Sequence, residues 1–370
     1  MPTRAPVRYR ALDELLGFGL IPERLLRAGS VYGAWARLHK ELRGGVEQQQ
    51  KRMDALVQRM SAGPIAEATD EANAQHYELP ADFFGIVLGP RRKYSGCLYP
   101  TGNESLAEAE EAMLALYCER AQIEDGMEIL DLGCGWGSVS LWLAEKYPNA
   151  RILGMSNSHG QREYIESVAR AKGFENLEIR TCDVNVFETD RRFDRAISIE
   201  MFEHIRNWKE LLRRVSVWLK PGGRLFMHVF SQRRVPYEFR GTWASARFFT
   251  EGRMPSHDLL LHFQDDMKVA DRWAVPGTHY AKTLGHWLER LDDNRDELLA
   301  IVGRQLVLPG HSREPSALEW KPSRKSERER EARKLLATWR LFFISTEEIW
   351  GWRNGNEWLV SHYLLEPRAS

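Results

Sequence analysis

The sequence predicts an α/β protein built on a Rossmann-like, doubly wound sheet. Between residues 122 and 232, short apolar segments alternate with longer amphipathic segments, as strands alternate with helices in a parallel sheet. The first apolar segment runs into the glycine-rich turn Asp131–Gly137, and a helix pattern follows directly. A strand, a glycine-rich turn and a helix in this order are typical of folds that bind a nucleotide-like ligand.

The core at 122–232 is predicted from the order of its apolar and amphipathic segments. Strands are predicted at 127–133, 150–157, 177–183, 193–199 and 223–230, and helices at 138–147, 160–171 and 208–219. Because each crossover between two parallel strands contains a helix, the strands should lie side by side with helices on both faces of the sheet.

The segments before the core are predicted to be largely helical. Within residues 1–75, apolar residues recur at helical spacing, and Pro22 and the Gly44-Gly45 pair divide the pattern into two or three helices. Residues 76–121 begin with a stretch rich in Gly, Pro and aromatic residues, which predicts a loop, and end in a long helix pattern. Loops carry function more often than helices do, so this loop is a candidate part of the site.

Residues 233–370 are predicted to form a substrate-covering region after the core. The charged run Lys321–Lys334 predicts a solvated helix or a mobile excursion. The tail beyond that run predicts a helix and then two paired strands around an Asn354-Gly355 turn.

Composition excludes several classes of protein. The chain has 52 basic and 52 acidic residues, so no net charge favours nucleic acid or an anionic membrane. Its four cysteines form no CxxC pair, which predicts neither a metal site nor a disulfide framework. No apolar run is long enough to span a bilayer or to serve as the core of a signal peptide, so we expect a cytoplasmic protein.

The glycine-rich turn predicts a site for S-adenosylmethionine. Gly133 and Gly135 allow a tight turn and bring the backbone close to a ligand, in a GxGxG spacing rather than the GxGxxG of dinucleotide enzymes. Asp131 ends the preceding strand, where a carboxylate suits the methionine amino group and would repel a pyrophosphate. The second strand ends at Asn157, with Gln161 four residues on, and these amide side chains can hydrogen-bond the ribose. The third strand ends at Asp183, which is placed to accept a hydrogen bond from the adenine amino group.

The fourth strand runs directly into the acidic segment Glu200–His204. Its sequence, EMFEH, places two carboxylates and an imidazole at the end of a central strand, beside the predicted cofactor site. Charged groups are costly to remove from water there, which indicates a catalytic function for Glu200, Glu203 and His204.

At these motifs the chain resembles the cyclopropane fatty acid synthase superfamily, and within it the coclaurine N-methyltransferase-like branch. The resemblance extends from about residue 12 to the end, apart from a charged excursion near 304–334. The motifs that carry it are YCERAQ at 117–122, LDLGCGWG at 130–137, EMFEH at 200–204, LHFQDD at 261–266 and GWRNGNEWLVSH at 351–362.

The resemblance implies a class I methyltransferase fold and a role for each matching residue. The implied cofactor contacts are Gly133, Asn157, Gln161 and Asp183, together with Tyr94 and Ser95 in the covering loop. Glu203 and His204 match the pair that handles the substrate amine. Glu200 matches an acid of the N-methyltransferase branch, where the synthases usually have Gly.

The synthases of this superfamily hold a bicarbonate base with a Cys, a Glu, a His and a Tyr, and the resemblance matches this set only in part. Glu203, His228 and Tyr280 fit it. The Cys motif reads Tyr94-Ser95-Gly96 here, with Cys97 displaced by one position, and Phe343 stands at another family Cys.

Two functions follow from the resemblance. The preferred one is N-methylation of a small aromatic or cyclic amine, because an ammonium group must lose its proton before its nitrogen can attack a methyl group. The alternative is methylation or cyclopropanation of an unsaturated acyl chain, which would require transient membrane contact. A homodimer is left open. The predicted substrate-binding residues are His228, Phe263, Tyr280, Trp339 and Phe342, with Phe230 and Trp350 as further aromatic candidates.

Overall fold

The computed structural model describes residues 9–67, 79–248, 252–306 and 322–368. Its central feature is a seven-stranded sheet in the order β3-β2-β1-β4-β5-β9-β8. The strands are β1 (Glu128–Leu132), β2 (Arg151–Ser156), β3 (Leu177–Thr181), β4 (Phe193–Ile199), β5 (Leu219–Gln232), β8 (Met267–Pro276) and β9 (Trp358–Pro367), and a separate two-stranded ribbon joins β6 (Tyr237–Glu238) to β7 (Arg253–Met254).

The helices before and within the core fill the positions that the sequence pattern predicts, whereas those at 81–87 and 277–305 were not predicted. Three lie ahead of the core, with breaks at Pro22 and Gly44 as predicted: α1 (Arg10–Gly17), α2 (Glu23–Glu41) and α3 (Gly45–Arg59). The longer helices that follow are α4 (Ala81–Val87), α5 (Leu106–Ala121), α6 (Ser138–Lys146), α7 (His159–Lys172), α8 (Trp208–Trp218), α9 (Gly277–Asp293), α10 (Arg295–Gln305) and α11 (Pro322–Gly355), and a single turn of helix spans Ser245–Phe248.

Strands β1 to β5 form the predicted parallel, doubly wound half of the sheet. In the order 3-2-1-4-5, the crossovers leave β1 in opposite directions toward β2 and toward β4. Ligands of such sheets bind outside the carboxyl ends of the strands at this reversal. The α/β fold class is confirmed, and the topology places a site between the ends of β1, β2 and β4.

The other end of the sheet corrects two predictions. The sheet is mixed rather than parallel throughout, because β9 runs antiparallel to both β5 and β8. The predicted hairpin around Asn354-Gly355 is wrong: both residues have positive φ (59° and 67°) and lie where α11 ends. Addition of a Cβ at Gly355 would bring it 2.3 Å from the Thr278 nitrogen, so glycine serves a close backbone approach there and not a strand turn.

Ion pairs attach the N-terminal helices to the C-terminal helix α11. The Arg27 guanidinium of α2 lies 2.9 Å from Glu347 and 2.7 Å from Glu348, both on α11. Lys334, in the predicted charged run, is helical and lies 2.6 Å from Glu14 of α1. Helix α2 is therefore held beside α11, which makes the two helices one wall over the sheet. Within the described ranges, none of these helices has an apolar stretch sufficient to cross a bilayer.

Candidate active site

A cavity of about 650 Å³ lies at the carboxyl ends of β1, β2 and β4. Its walls come from the glycine turn, the segment after β4, α2 and α11. Of the predicted site residues, those that line it are Tyr94, Ser95, Asp131, Gly133, Gly135, Asn157, Gln161, Glu200, His204, Tyr280 and Phe342. The structure thus brings most of the predicted site together in one cavity.

The glycine turn leaves space that a side chain would fill. Gly133, Gly135 and Gly137 have φ values of 80°, 53° and 78°, which an L side chain rarely adopts. A Cβ on Gly137 would meet Ile165 at 2.6 Å, whereas a Cβ on Gly135 would meet nothing within 4 Å. Gly135 therefore exposes its backbone to the cavity itself, as contact with a ligand requires.

Two polar side chains beside the turn, Asp131 and Gln161, have groups that could hydrogen-bond a ligand. The buried Asp131 carboxylate accepts a hydrogen bond from the Ser140 hydroxyl at 2.6 Å, and burial raises the pKa of Asp131 to about 6. Gln161 accepts from the Ser156 hydroxyl at 2.7 Å, while its buried Nε2 has no partner among the described residues. An unpaired buried donor is rare, and here it is on a side chain that lines the cavity.

The loop before α5 reaches the same cavity through Tyr94 and Ser95. The buried Lys93 ammonium donates to the Ser95 hydroxyl and to the Gly96 carbonyl, each at 2.6 Å. Glu110 of α5 accepts from the Lys93 backbone N–H at 3.1 Å. The loop is therefore held from beneath by buried charged groups, with Tyr94 and Ser95 turned to the cavity.

Asp183 has a different position from the other predicted cofactor residues. Its neighbours Cys182 and Val184 line the cavity, and Asp183 does not. The Asp183 carboxylate accepts the Asn185 backbone N–H at 2.7 Å, which is a local turn contact. Its predicted contact with adenine stays a prediction.

Glu200 is the most constrained side chain of the cavity. It has a φ of 49°, and its backbone N–H donates to the His228 carbonyl at 2.9 Å. Its carboxylate accepts from three donors: the Tyr280 hydroxyl at 2.8 Å, the His228 Nε2 at 3.0 Å and the Gly96 N–H at 3.2 Å. Burial nevertheless raises the pKa of Glu200 to about 7.

The other two predicted catalytic residues of the EMFEH segment, Glu203 and His204, have different environments. Glu203 is fully buried and does not line the cavity; its Oε1 accepts the Phe230 N–H at 2.6 Å. Burial, reinforced by Glu200, raises the pKa of Glu203 well above its usual value. His204 lines the cavity, and burial lowers its pKa to about 4, so its imidazole is neutral at pH 7.

Aromatic rings form much of the remaining wall. Tyr280 and Trp350 stack with ring centroids 4.6 Å apart, and both line the cavity with Phe230 and Phe342. Three predicted substrate residues do not line it: Trp339, Phe263 and His228. Trp339 packs behind Phe342 at 5.9 Å, and Phe263 packs against Trp208 at 5.7 Å.

Sequence reasoning missed the part of the wall that α2 contributes. Gly29, Ser30, Gly33 and Ala34 line the cavity, and a Cβ on Gly29 or Gly33 would meet nothing within 4 Å. The four-residue spacing of two glycines within a helix pattern was the available signal, because residues four apart share one helix face. Trp136, which follows Gly135, also lines the cavity and was not predicted.

These features fit S-adenosylmethionine, which, when bound, supplies an activated methyl group. The open cradle at Gly135 and the unpaired Gln161 donor accommodate a nucleoside-like ligand, and the Asp131 carboxylate suits an amino group. The sheet, the glycine turn and this cavity together define a class I methyltransferase that depends on S-adenosylmethionine.

The comparisons with known proteins identify the family. Residues 66–308 match the family model described as mycolic acid cyclopropane synthetase. (S)-Coclaurine N-methyltransferase of Thalictrum flavum subsp. glaucum is 33% identical over 95% of this chain and 94% of its own length. The enzyme of the same name from Papaver somniferum is 32% identical over 98% of this chain and 100% of its own length.

Solved structures agree. A coclaurine N-methyltransferase bound to N-methylheliamine and SAH superposes with a TM-score of 0.88 and 32% identity, covering 97% of this chain and 100% of that one. A cyclopropane synthase of Mycobacterium tuberculosis gives a TM-score of 0.60 at 20% identity over 82% of this chain and 99% of its own, which shows the shared fold alone. The chain belongs to the cyclopropane synthase superfamily, in its coclaurine N-methyltransferase-like branch, and the predicted dependence on S-adenosylmethionine is confirmed.

Proposed function

We propose that this chain transfers the methyl group of S-adenosylmethionine to the nitrogen of a small aromatic or cyclic amine. The observation that carries the proposal is the Glu200 carboxylate, which lines the same cavity as the glycine turn and the stacked aromatic rings. The two relatives of 32–33% identity named above are N-methyltransferases, and a coclaurine N-methyltransferase was solved with N-methylheliamine, which supports an amine as the acceptor.

Glu200 suits the removal of a proton from such an amine. An amine at neutral pH is largely protonated and has no lone pair for attack. A carboxylate with a pKa of about 7 is partly ionised at neutral pH, so it can attract the ammonium group as an anion and then accept its proton. Aromatic walls exclude water and favour a flat or cationic acceptor.

Glu203 and His204 stay predicted catalytic residues, for which we propose narrower roles. A protonated Glu203 would hold the EMFEH turn against β5 through the Phe230 N–H. A neutral His204 would offer a ring nitrogen on the cavity wall to orient the amine.

The donors around Glu200 also argue against the acyl-chain alternative. His228 and Tyr280, which the resemblance matched to a bicarbonate site, both bond the Glu200 carboxylate. We propose that Glu200 provides internally the base that the synthases take from bicarbonate. The proposal requires no metal, nucleic acid or membrane partner.

A methyl-transfer screen with labelled cofactor tests the proposal. A panel of aromatic and cyclic amines is compared with vesicles of unsaturated phospholipid, using the wild type, Glu200→Gln and the control Glu347→Gln on α11. We expect methylated amine from the wild type and the control, and a loss on the order of 10²- to 10⁴-fold in turnover for Glu200→Gln. Labelled lipid, or full activity of Glu200→Gln, would contradict the proposal.

A further inference from the structure

A chain of buried polar side chains continues from Glu200 away from the cavity. His228 of β5 and His362 of β9 are paired directly across the antiparallel ladder, and both are 0% exposed. Tyr117 and Arg120 of α5 complete the set. Three of these residues belong to the YCERAQ and GWRNGNEWLVSH motifs, which the cavity lining does not explain.

Hydrogen-bond distances connect the set in one direction. An Arg120 guanidinium nitrogen lies 2.6 Å from His362 Nδ1, and His362 Nε2 lies 3.0 Å from His228 Nδ1. The Tyr117 hydroxyl also reaches His228 Nδ1, at 2.8 Å. His228 Nε2 then lies 3.0 Å from Glu200 Oε1.

Donor and acceptor roles follow from the arginine end. A guanidinium donates only, so His362 Nδ1 must accept and its Nε2 must carry the hydrogen. His228 Nδ1 therefore faces donors from His362 and Tyr117, and a neutral His228 must carry its hydrogen on Nε2. Burial lowers the pKa of both imidazoles well below the usual value, which keeps them neutral.

We propose that Arg120, His362 and Tyr117 are positioning residues that fix His228 as the Nε2–H tautomer, so that Glu200 always faces a donor and remains a proton acceptor for the substrate. The inference rests on the proposed function of Glu200. This series of hydrogen bonds cannot carry a proton away from Glu200. The Nε2 atoms of His228 and His362, which lie on the Glu200 side of each ring, already carry a hydrogen, and the arginine at the far end accepts none.

Several other charged or titratable groups face Glu200 and contribute to its protonation. Lys93 from the covering loop favours the carboxylate through its charge, and Tyr280 of α9 does so through its hydrogen bond, while the imidazole of His204 is neutral at pH 7. Glu203 on the same turn interacts with it electrostatically, as do Cys97 and Tyr117. The Arg120 chain acts on only one of the three donors, so its removal should shift the behaviour of Glu200 and not abolish it.

The test is the pH dependence of turnover in Arg120→Met, which keeps the apolar stem over Trp273 and removes the donor. Loss of a fixed donor destabilises the carboxylate, so its pKa rises and the acid limb of the kcat profile moves to higher pH by about 0.5–1 unit. The affinity for S-adenosylhomocysteine should not change. Arg120→Lys keeps a donor and should restore part of the shift, and the exposed Arg272→Met on β8 is the matched control.

Imidazole ¹⁵N spectra report the tautomers of His228 and His362, which would not change if Arg120 had a purely structural role. In the wild type, His228 and His362 should each show the pattern of a neutral ring protonated at Nε2, and Arg120→Met should mix the tautomers of both. His362→Phe identifies the signals and should shift the acid limb in the same direction. Folding of each variant is checked by its thermal transition and by cofactor affinity.

The outcomes separate the two proposals. A wild-type enzyme that methylates no amine, or whose acid limb does not respond to Glu200→Gln, overturns the proposed function. A wild type that behaves as proposed, with Arg120→Met unchanged in both acid limb and tautomer pattern, overturns the positioning chain alone. The same acid-limb shift in Arg272→Met would also overturn it, because the effect would then be general to this edge of the sheet.

Discussion

The two halves of the cavity are built in different ways. The cofactor half comes mainly from one continuous stretch, 128–161, in which backbone turns and short polar side chains follow successive strands. The acceptor half gathers side chains from α2, the segment after β4, the end of β5, α9 and α11. A local construction fixes the geometry of the cofactor half within one stretch of the chain, while a composite one lets the acceptor half change without disturbance of the cofactor half.

Each half nevertheless contains one buried carboxylate on the cavity wall. Asp131 accepts one side-chain hydrogen bond and has a pKa of about 6, while Glu200 accepts three hydrogen bonds and has a pKa of about 7. The pKa of Glu200 is raised despite its additional donors because desolvation outweighs both those donors and the charge of Lys93. Both halves therefore present a carboxylate that a positively charged ligand group would stabilise.

The largest effect should come from Gly135→Val, which changes the cofactor half alone. A branched side chain would enter the cavity where the backbone must approach the ligand, so S-adenosylhomocysteine affinity should fall by about 100-fold or more. Calorimetry measures it. Gly173→Val is the control, because Gly173 has a similar φ of 69° and equally open surroundings outside the cavity. Equal affinities in the two variants would refute the assignment.

Gly33→Leu should affect the acceptor half and leave the cofactor half intact. Its side chain would project from α2 into space that is now open, so KM for a bulky bicyclic amine should rise about tenfold, and less for a small amine. Leucine also favours the helix by up to about 1 kcal/mol, so stability should not fall. Gly303→Leu on α10 is the control. Steady-state kinetics with amines of graded size measures KM in both variants and would reveal a departure from this prediction.

Glu203→Gln should have a small effect, within about threefold in turnover. If burial keeps Glu203 protonated, glutamine reproduces its neutral state and can still accept the Phe230 N–H. Glu203→Ala should be much worse, because it leaves that N–H unpaired in the core. A loss of 100-fold or more in Glu203→Gln, typical of a missing general base, would instead support direct proton transfer by Glu203.

Removal of bicarbonate should have no measurable effect. Because His228 and Tyr280 already bond the Glu200 carboxylate, an added anion would lack these donors. Turnover of an amine is compared in carbon dioxide-free buffer before and after bicarbonate is restored. A reversible loss of activity would mean that the acceptor half functions as in the synthases.

The sequence predicted the elements of the parallel half well, because each strand and helix there has its own periodic pattern. It could not predict that β9 enters the sheet between β5 and β8, because antiparallel pairing over a long separation leaves no local signal. The Asn354-Gly355 pair was misleading for a physical reason. Positive φ serves the end of a helix as well as a hairpin turn.

The lack of a local signal for tertiary contacts also explains which site residues could be predicted from the sequence and which could not. Asp131, Gly135 and Gln161 were predictable because they follow strand ends in a fixed order. Trp339 and Phe342 were equally plausible as aromatic residues, because residues three apart share one helix face. Only Phe342 lines the cavity, because Trp339 lies about one turn earlier on α11 and packs behind it. The contribution of α2 depended on tertiary packing, because the spacing of Gly29 and Gly33 marks one face of the helix but not what that face meets.

The position of β9 has a consequence for the order in which the enzyme is completed. Among the described strands, β8 pairs only with β9, and β9 follows both of its neighbours in the chain. A nascent chain can therefore form the glycine turn while the edge of β5 is still open and His228 has no His362 opposite it. Arrival of β9 closes the edge, recruits β8 and fixes the imidazole pair in a single event. The strand that completes the donor chain to Glu200 is thus the last strand made, long after the glycine turn that begins the site.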